Sequence, residues 1–295
     1  MTEISHAREI SRDVFSATLG SVFCCYTGQP MDTIKVRMQT KPTLYTGIGK
    51  TLSLTVSNEG LVALWKGAIP TACGMAAENA VAFGFNEALK RAFPAPELPL
   101  TVGTNQTPDL LRPFVMGAVT AIPVSLVLLP SEVIKAKTQV AIGTVSSREI
   151  MNSMMKQNGM RSFFVGMEAQ MARDCSFYAV FFGGYELFCY GFQKFTPSIP
   201  DELRYFLSGG FAGMLGWAVA MPFDVPKTNV QSRYDTKVLG SYLPEMAKIA
   251  RERGFGAFYS GLGPTLVRAF PANAALFLGV EMGKRFFDNL LWRKS

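Results

Sequence analysis

One ten-residue pattern occurs three times in this chain of 295 residues. It reads Pro30-Met-Asp32-Thr-Ile-Lys35-Val-Arg37-Met-Gln39, then Pro130-Ser-Glu132-Val-Ile-Lys135-Ala-Lys137-Thr-Gln139, then Pro222-Phe-Asp224-Val-Pro-Lys227-Thr-Asn-Val-Gln231. Each copy sets an acid two residues after a proline, a base three beyond the acid and a glutamine four beyond the base. The prolines stand 100 and 92 residues apart. A fixed period of this kind constrains the fold more than any composition. The expected units are residues 10–95, 108–195 and 200–290, within one domain spanning 1–295.

Each unit carries two further landmarks. The first is Glu59-Gly60-Leu-Val-Ala-Leu-Trp65-Lys66-Gly67, repeated as Asn158-Gly159-Met-Arg-Ser-Phe-Phe164-Val165-Gly166 and Arg253-Gly254-Phe-Gly-Ala-Phe-Tyr259-Ser260-Gly261. The second is an acid 20 residues after the last glycine: Glu87, Glu186 and Glu281. Together these motifs resemble the mitochondrial carrier family, over roughly residues 10 to 290. The resemblance implies an all-α membrane protein of six transmembrane helices in three tandem repeats with pseudo-threefold symmetry. It also implies the mitochondrial inner membrane as location, by internal targeting. Val165 and Ser260 stand where the family pattern has a base.

The segments support membrane spans. Val14 to Met31, Pro113 to Ser131 and Tyr205 to Phe223 contain no charge. Each is long enough to cross a hydrocarbon core of roughly 30 Å as a helix. The intervening apolar segments carry only Glu78, then Arg173 and Asp174, then Arg268. The expected spans are 12–39, 70–90, 111–140, 168–190, 204–231 and 263–287. Gly20, Gly117, Gly209, Gly213 and Gly216 suit close helix–helix approach. Ile48–Asn58, Ser147–Gln157 and Tyr242–Arg251 are amphipathic and are expected to lie along the membrane surface. Phe93 to Pro108 reads as a linker.

The net charge of +7 suits an anionic lipid surface, and the resemblance makes cardiolipin the expected lipid and a monomer the expected state. Basic residues do not interleave with aromatics, which argues against nucleic acid as a partner. The five cysteines contain no Cys-x-x-Cys, and His6 is the sole histidine. A histidine-based metal site or catalytic triad is therefore excluded. No metal, cofactor or enzymatic chemistry is expected.

In the family, the acid of one motif pairs with the base of the next. Here that gives Asp32–Lys135, Glu132–Lys227 and Asp224–Lys35, a ring closing the matrix side. Gln39, Gln139 and Gln231 lie one turn past each base, where each can brace a pair. The family's cytoplasmic ring maps onto Glu87, Lys90, Glu186, Glu281 and Lys284. It implies Glu186–Lys284 and Glu281–Lys90; Glu87 lacks its base, because Cys189 occupies that position.

Charges in membrane helices point to function by default. Arg173 and Arg268 each fall seven residues after their landmark glycine, where the first unit has Gly74. Glu78 lies one turn further on. Two guanidinium forks can clamp a carboxylate, while Glu78, with Asp174, can hold a cation. A ligand with a carboxylate at one end and a cation at the other fits: a basic amino acid. The runs Ala77-Glu78-Asn79 and Arg268-Ala-Phe-Pro-Ala-Asn273 are similar to the family's ornithine branch. That implies exchange of ornithine, citrulline, lysine and arginine by alternating access, with substrate held by Glu78, Asn79, Arg173, Asp174 and Arg268. The pair Arg173-Asp174 and the run Arg268-Ala-Phe-Pro-Ala-Asn273 also resemble the carnitine/acylcarnitine branch, the second reading; Ala77-Glu78-Asn79 favours the first. A non-transporting membrane scaffold is a third, disfavoured by the intact charge pattern.

Overall fold

The computed structural model describes residues 2–92, 111–143, 145–196, 198, 200–233 and 239–291. The expected linker Phe93–Pro108 lies outside them. Among the described residues six long helices occur: α1 (Thr2–Thr40), α3 (Ala68–Ala92), α4 (Leu111–Val140), α6 (Met167–Phe195), α7 (Asp201–Ser232) and α9 (Leu262–Leu291). Three short ones alternate with them: α2 (Ile48–Glu59), α5 (Ser147–Asn158) and α8 (Tyr242–Arg253). A 3₁₀ turn follows each short helix, at Leu61–Trp65, Gly159–Phe164 and Phe255–Tyr259. Among the described residues there is no strand. Each repeat thus reads long helix, surface helix, 3₁₀ turn, long helix. The long helices begin and end close to the expected bounds, except that α1 extends back to Thr2.

Glycine sets the corners. Gly60, Gly159 and Gly254 end the short helices at φ of 81°, 61° and 73°, and Gly67, Gly166 and Gly261 start the following long helices at 78°, 71° and 89°. Only a residue without Cβ enters that left-handed region freely. Both glycines of the second landmark are therefore required by backbone geometry. Pro30, Pro130 and Pro222 sit inside α1, α4 and α7. Each removes one intrahelical hydrogen bond.

The long helices form a closed ring in the order α1, α3, α4, α6, α7, α9, with α9 returning to α1. The proline-bearing α1, α4 and α7 also touch one another, so the ring narrows at the end that carries the motif. Hydropathy marks two of the helices as long and apolar enough to span a membrane, Leu111–Val140 and Leu203–Ser232. In α1 the uncharged stretch Val14 to Met31 is diluted by Ser16, Thr18, Ser21, Tyr26, Thr27 and Gln29, and the other long helices carry charged residues. Outer faces bear exposed Phe114, Ile122, Leu126, Phe211, Met214 and Leu278.

The surface helices are pinned differently. In the second repeat Leu129 and Val133 pack on Ile150, Met154 and Phe163. In the third, Met221 and Val225 pack on Ile249 and Phe258. In the first, Arg37 reaches across instead, donating to Thr55 Oγ1 at 3.1 Å and to Glu59 at 2.6 and 3.0 Å. Lys66 Nζ also donates to Glu59. Burial would push the Glu59 carboxyl up, but the Arg37 and Lys66 hydrogen bonds and charges outweigh it and hold its pKa below the usual range.

Candidate functional site

At the narrow end of the ring, α1, α4 and α7 are joined by three ion pairs. Lys135 donates to Asp32 at 2.8 Å, Lys227 to Glu132 at 2.6 Å, and Lys35 lies 2.8 Å from Asp224. Every pair links a different pair of helices. Each acid follows the motif proline by about half a turn, and the i, i+3 spacing of acid and base presents one to each neighbour. All six side chains are largely withdrawn from solvent.

The three glutamines do not act alike. Gln39 Nε2 donates to Asp224 at 2.9 Å and braces that pair. Gln139 Nε2 donates instead to Thr33 Oγ1 at 3.3 Å, and Gln231 Nε2 to Gln170 Oε1 at 3.2 Å. Both amides find a nearer polar neighbour on an adjacent helix than the ion pair itself. The expectation of three equivalent braces is corrected to one.

A second ring lies beneath the first. Arg37 Nε donates to the Gln139 carbonyl at 3.2 Å, Lys137 Nζ to the Arg233 carbonyl, and Asn229 Nδ2 to the Gln39 carbonyl at 3.4 Å. These donors hold the eighth position of the repeated pattern. Each caps a terminal carbonyl of the next motif-bearing helix, where the helix dipole is negative. Sequence reasoning missed this ring, although Arg37 and Lys137 recurring at one position was the available signal.

Above the ion pairs lies a cavity of about 240 Å³. Glu78, Arg173 and Arg268 line it together, from α3, α6 and α9. Tyr178 donates its hydroxyl to Glu78. Arg268 lies 2.5 Å from Asp32 Oδ1. Arg173 lies 2.7 Å from Asp174 and 3.6 Å from Glu132. The wall carries four carboxylates (Asp32, Glu78, Glu132, Asp224) and five cations (Lys35, Lys135, Arg173, Lys227, Arg268). Asp174, behind Arg173, brings the balance to zero.

Asp174 does not line the cavity. It is fully buried, and its second oxygen accepts from Ser125 Oγ and Gln170 Nε2, both at 2.7 Å. One oxygen faces Arg173 and the other is held by Ser125 and Gln170, away from the cavity wall, so the carboxylate positions the arginine. The side chains of Asn79, Glu87 and Lys90 lie outside the described residues. Glu281 pairs with Arg285 at 3.0 Å, and Glu186 and Lys284 form no ion pair with each other. The wide end of the ring is unlatched at that pair. Tyr178 and Trp217, whose ring centroid is 4.4 Å from Lys35 Nζ, also line the cavity. One aromatic among many in an apolar helix gives no sequence signal, so both were missed.

The mitochondrial carrier protein model matches this chain three times, over residues 6–96, 106–195 and 201–290. The chain belongs to the mitochondrial carrier family. This family membership makes it a multi-pass protein of the mitochondrial inner membrane. Mitochondrial ornithine transporter 1 of Mus musculus is 33% identical, with 95% of each chain aligned. The mitochondrial carnitine/acylcarnitine carrier protein of Mus musculus is 28% identical across 94% of each. Mitochondrial substrate carrier family protein S of Dictyostelium discoideum is 31% identical, over 92% of this chain and 95% of that one.

Proposed function

We propose that this carrier exchanges basic amino acids across the inner membrane by alternating access. The observation that carries the reading is the convergence of Glu78, Arg173 and Arg268 on one charge-balanced cavity above the three ion pairs. A balanced site favours a bipolar ligand over a simple anion or cation. The guanidinium groups of Arg173 and Arg268 take the α-carboxylate, each through a planar fork. Glu78, oriented by Tyr178, takes the distal ammonium. The likeness to an ornithine transporter at 33% identity supports the same class.

The ion pairs serve as the matrix gate. A desolvated ion pair roughly balances its Coulomb attraction against its desolvation cost. Such pairs can hold one state and still yield to another of similar free energy. Asp32, Lys35, Glu132, Lys135, Asp224 and Lys227 close the matrix side here, with Gln39 as brace. Glu186 with Lys284 and Glu281 with Lys90 would close the cytoplasmic side in the opposite state. The carrier works as a monomer, with cardiolipin against its basic matrix face. No covalent step is involved.

The second reading is carnitine and acylcarnitine exchange, which the 28% identical relative supports. Uptake of labelled ornithine, lysine, arginine and carnitine into preloaded proteoliposomes decides between them. Exchange of the basic amino acids is expected; exchange of carnitine alone would overturn the leading reading.

A further inference from the structure

The second repeat departs from the other two at three positions, and the three departures meet at one carboxylate. Five residues before the motif proline stand Cys25, Ser125 and Trp217. Four residues after the landmark glycine stand Thr71, Gln170 and Thr265, and eight after it Met75, Asp174 and Ala269. Thr71 and Thr265 turn back on their own helices, donating to the Gly67 and Gly261 carbonyls at 2.7 and 2.8 Å. Gln170 reaches outward instead, and its Nε2 donates to Asp174 Oδ2 at 2.7 Å. Ser125 Oγ, on α4, lies 2.7 Å from the same oxygen and 2.6 Å from the Ala121 carbonyl. Its single proton goes to the carboxylate, the stronger acceptor.

The chain of contacts continues to α7. Gln170 Oε1 accepts from Gln231 Nε2 at 3.2 Å. The Gln170 amide therefore has one sensible orientation, since the flipped one sets its oxygen against a carboxylate. Ser125, Gln170 and Asp174 are buried, and none of them lines the cavity. A charge this deep is tolerated only where it is paired and hydrogen-bonded. Asp174 Oδ2 is held from α4 and α6, and Oδ1 lies 2.7 Å from Arg173. Arg268 has no such arrangement. Ala269 follows it, and its partner Asp32, at 2.5 Å, is shared with Lys135. One arginine of the site has an acid of its own; the other borrows one.

We infer that Gln170 is a positioning residue for ligand recognition: with Ser125 it fixes Asp174, and through Asp174 it fixes Arg173 as the rigid anchor for the ligand's carboxylate. Arg173 meets the ligand preorganised, and Arg268 supplies a second, adjustable fork. Preorganisation lowers the cost of ordering a side chain on binding. Losing it weakens binding and leaves the later steps of transport alone. The inference rests on the proposed reading only in that the arginines take a carboxylate, a group that ornithine and carnitine share.

Gln170→Thr installs the residue that both other repeats carry, and Ser125→Ala removes the hydroxyl. Each variant is compared with the parent in proteoliposomes, with labelled ornithine and labelled carnitine. For whichever ligand the parent exchanges, KM should rise about tenfold in each variant, the loss of one hydrogen bond to a charged group at the low end of its range. The kcat should stay at the parental value, as expected when only binding is lost. A parental KM overturns the inference, and so does a fall in kcat without a rise in KM, the mark of a damaged fold. Thermal unfolding in detergent supplies an arm that needs no ligand. Gln170→Thr, Arg173→Gln and the double variant are compared with the parent. Asp174 joins the two positions, so the double variant should depart from the sum of the single losses. Additive losses overturn the inference whatever ligand is carried. A parent that exchanges carnitine alone, or neither ligand, overturns the basic amino acid reading and not this one, which the unfolding arm still decides.

Discussion

The seam between α1 and α9 closes the ring by joining the first repeat to the third, and it offers the most calculable perturbation. A Cβ at Gly279 would lie 2.8 Å from the Gly20 Cα, 3.1 Å from the Leu19 carbonyl oxygen and 3.1 Å from the Phe23 Cβ. Carbon atoms rest at about 3.5–4.0 Å, so Gly279→Ala is about 0.7–1.2 Å short of space. Its nearest neighbour is backbone and cannot swing aside. Overpacking of this kind costs about 1–3 kcal/mol, and unyielding contacts put this site near the upper end. Replacing glycine by alanine inside a helix returns about 1 kcal/mol. The net loss is about 1–2 kcal/mol, or roughly 2–8 °C at about 2–4 °C per kcal/mol. Gly209→Ala is the control, because no atom lies within 4 Å of a Cβ there; it should unfold at the parental temperature or slightly above. Thermal unfolding of the purified carrier in detergent measures both. Gly20→Ala meets the same seam, with the Leu276 carbonyl oxygen at 2.8 Å. The double variant should lose less than the sum, since the helices part only once. If Gly279→Ala melts at or above Gly209→Ala, the close-approach argument is wrong.

Tyr178→Phe removes the hydroxyl that Glu78 accepts and leaves the ring in place; exchange assays should show a several-fold higher KM for lysine and ornithine, and an unchanged KM would remove Tyr178 from the site. Glu59→Gln leaves Arg37 and Lys66 without their shared carboxylate, at a cost of about 3 kcal/mol for breaking a buried pair. Because the folded Glu59 pKa is depressed, its contribution is complete above the ordinary carboxylate range and is lost as pH falls through the folded value. The melting gap between parent and Glu59→Gln should therefore be constant from pH 7 to about pH 5.5 and close only in acid; a gap that closes near neutrality would refute this. Cys189→Lys supplies the base that Glu87 lacks in the cytoplasmic ring; matrix-side labelling of the cavity should rise, and a fall would show that Glu87 has no role in that ring.

Much of the fold was legible because each repeat carries its own punctuation. Glycines at fixed places impose positive φ, and prolines at fixed places mark the motif-bearing helices. The surface helices and repeat bounds follow from that spacing, and the spans from the uncharged apolar segments; the partners of the three interhelical ion pairs came from the family resemblance. Packing was less legible. Gly20, Gly117 and Gly216 do lie against neighbouring helices, but Gly209 faces open space. Gly279 and Gly283, which meet Gly20 and Ser16 of α1, were passed over. Small residues recur throughout these helices, and only the rotation of each helix decides which of them meets another backbone.

The site divides along the same line. Where the three units agree, the side chain belongs to the machinery: the acid–base ring, and beneath it the eighth-position donors that cap the neighbouring helix. Where they disagree, two different causes are at work. Gly74 in place of an arginine, with Glu78 one turn on, changes the chemistry of the cavity wall, and that difference is readable from alignment of the units. Asn229 in place of Arg37 or Lys137 changes the strength of a latch. A neutral side-chain hydrogen bond contributes about 1 kcal/mol, and one from a cation about 1.5–3. The link from α7 to α1, at 3.4 Å and uncharged, is the weak member of the lower ring. That same interface carries the one glutamine that braces its ion pair, Gln39 on Asp224. The brace in the upper ring offsets the deficit in the lower one, so the three interfaces of the gate come closer to equal strength than either ring alone provides. Opening a gate needs all three interfaces to yield within one transition, and an interface much stronger than the others would hold it shut.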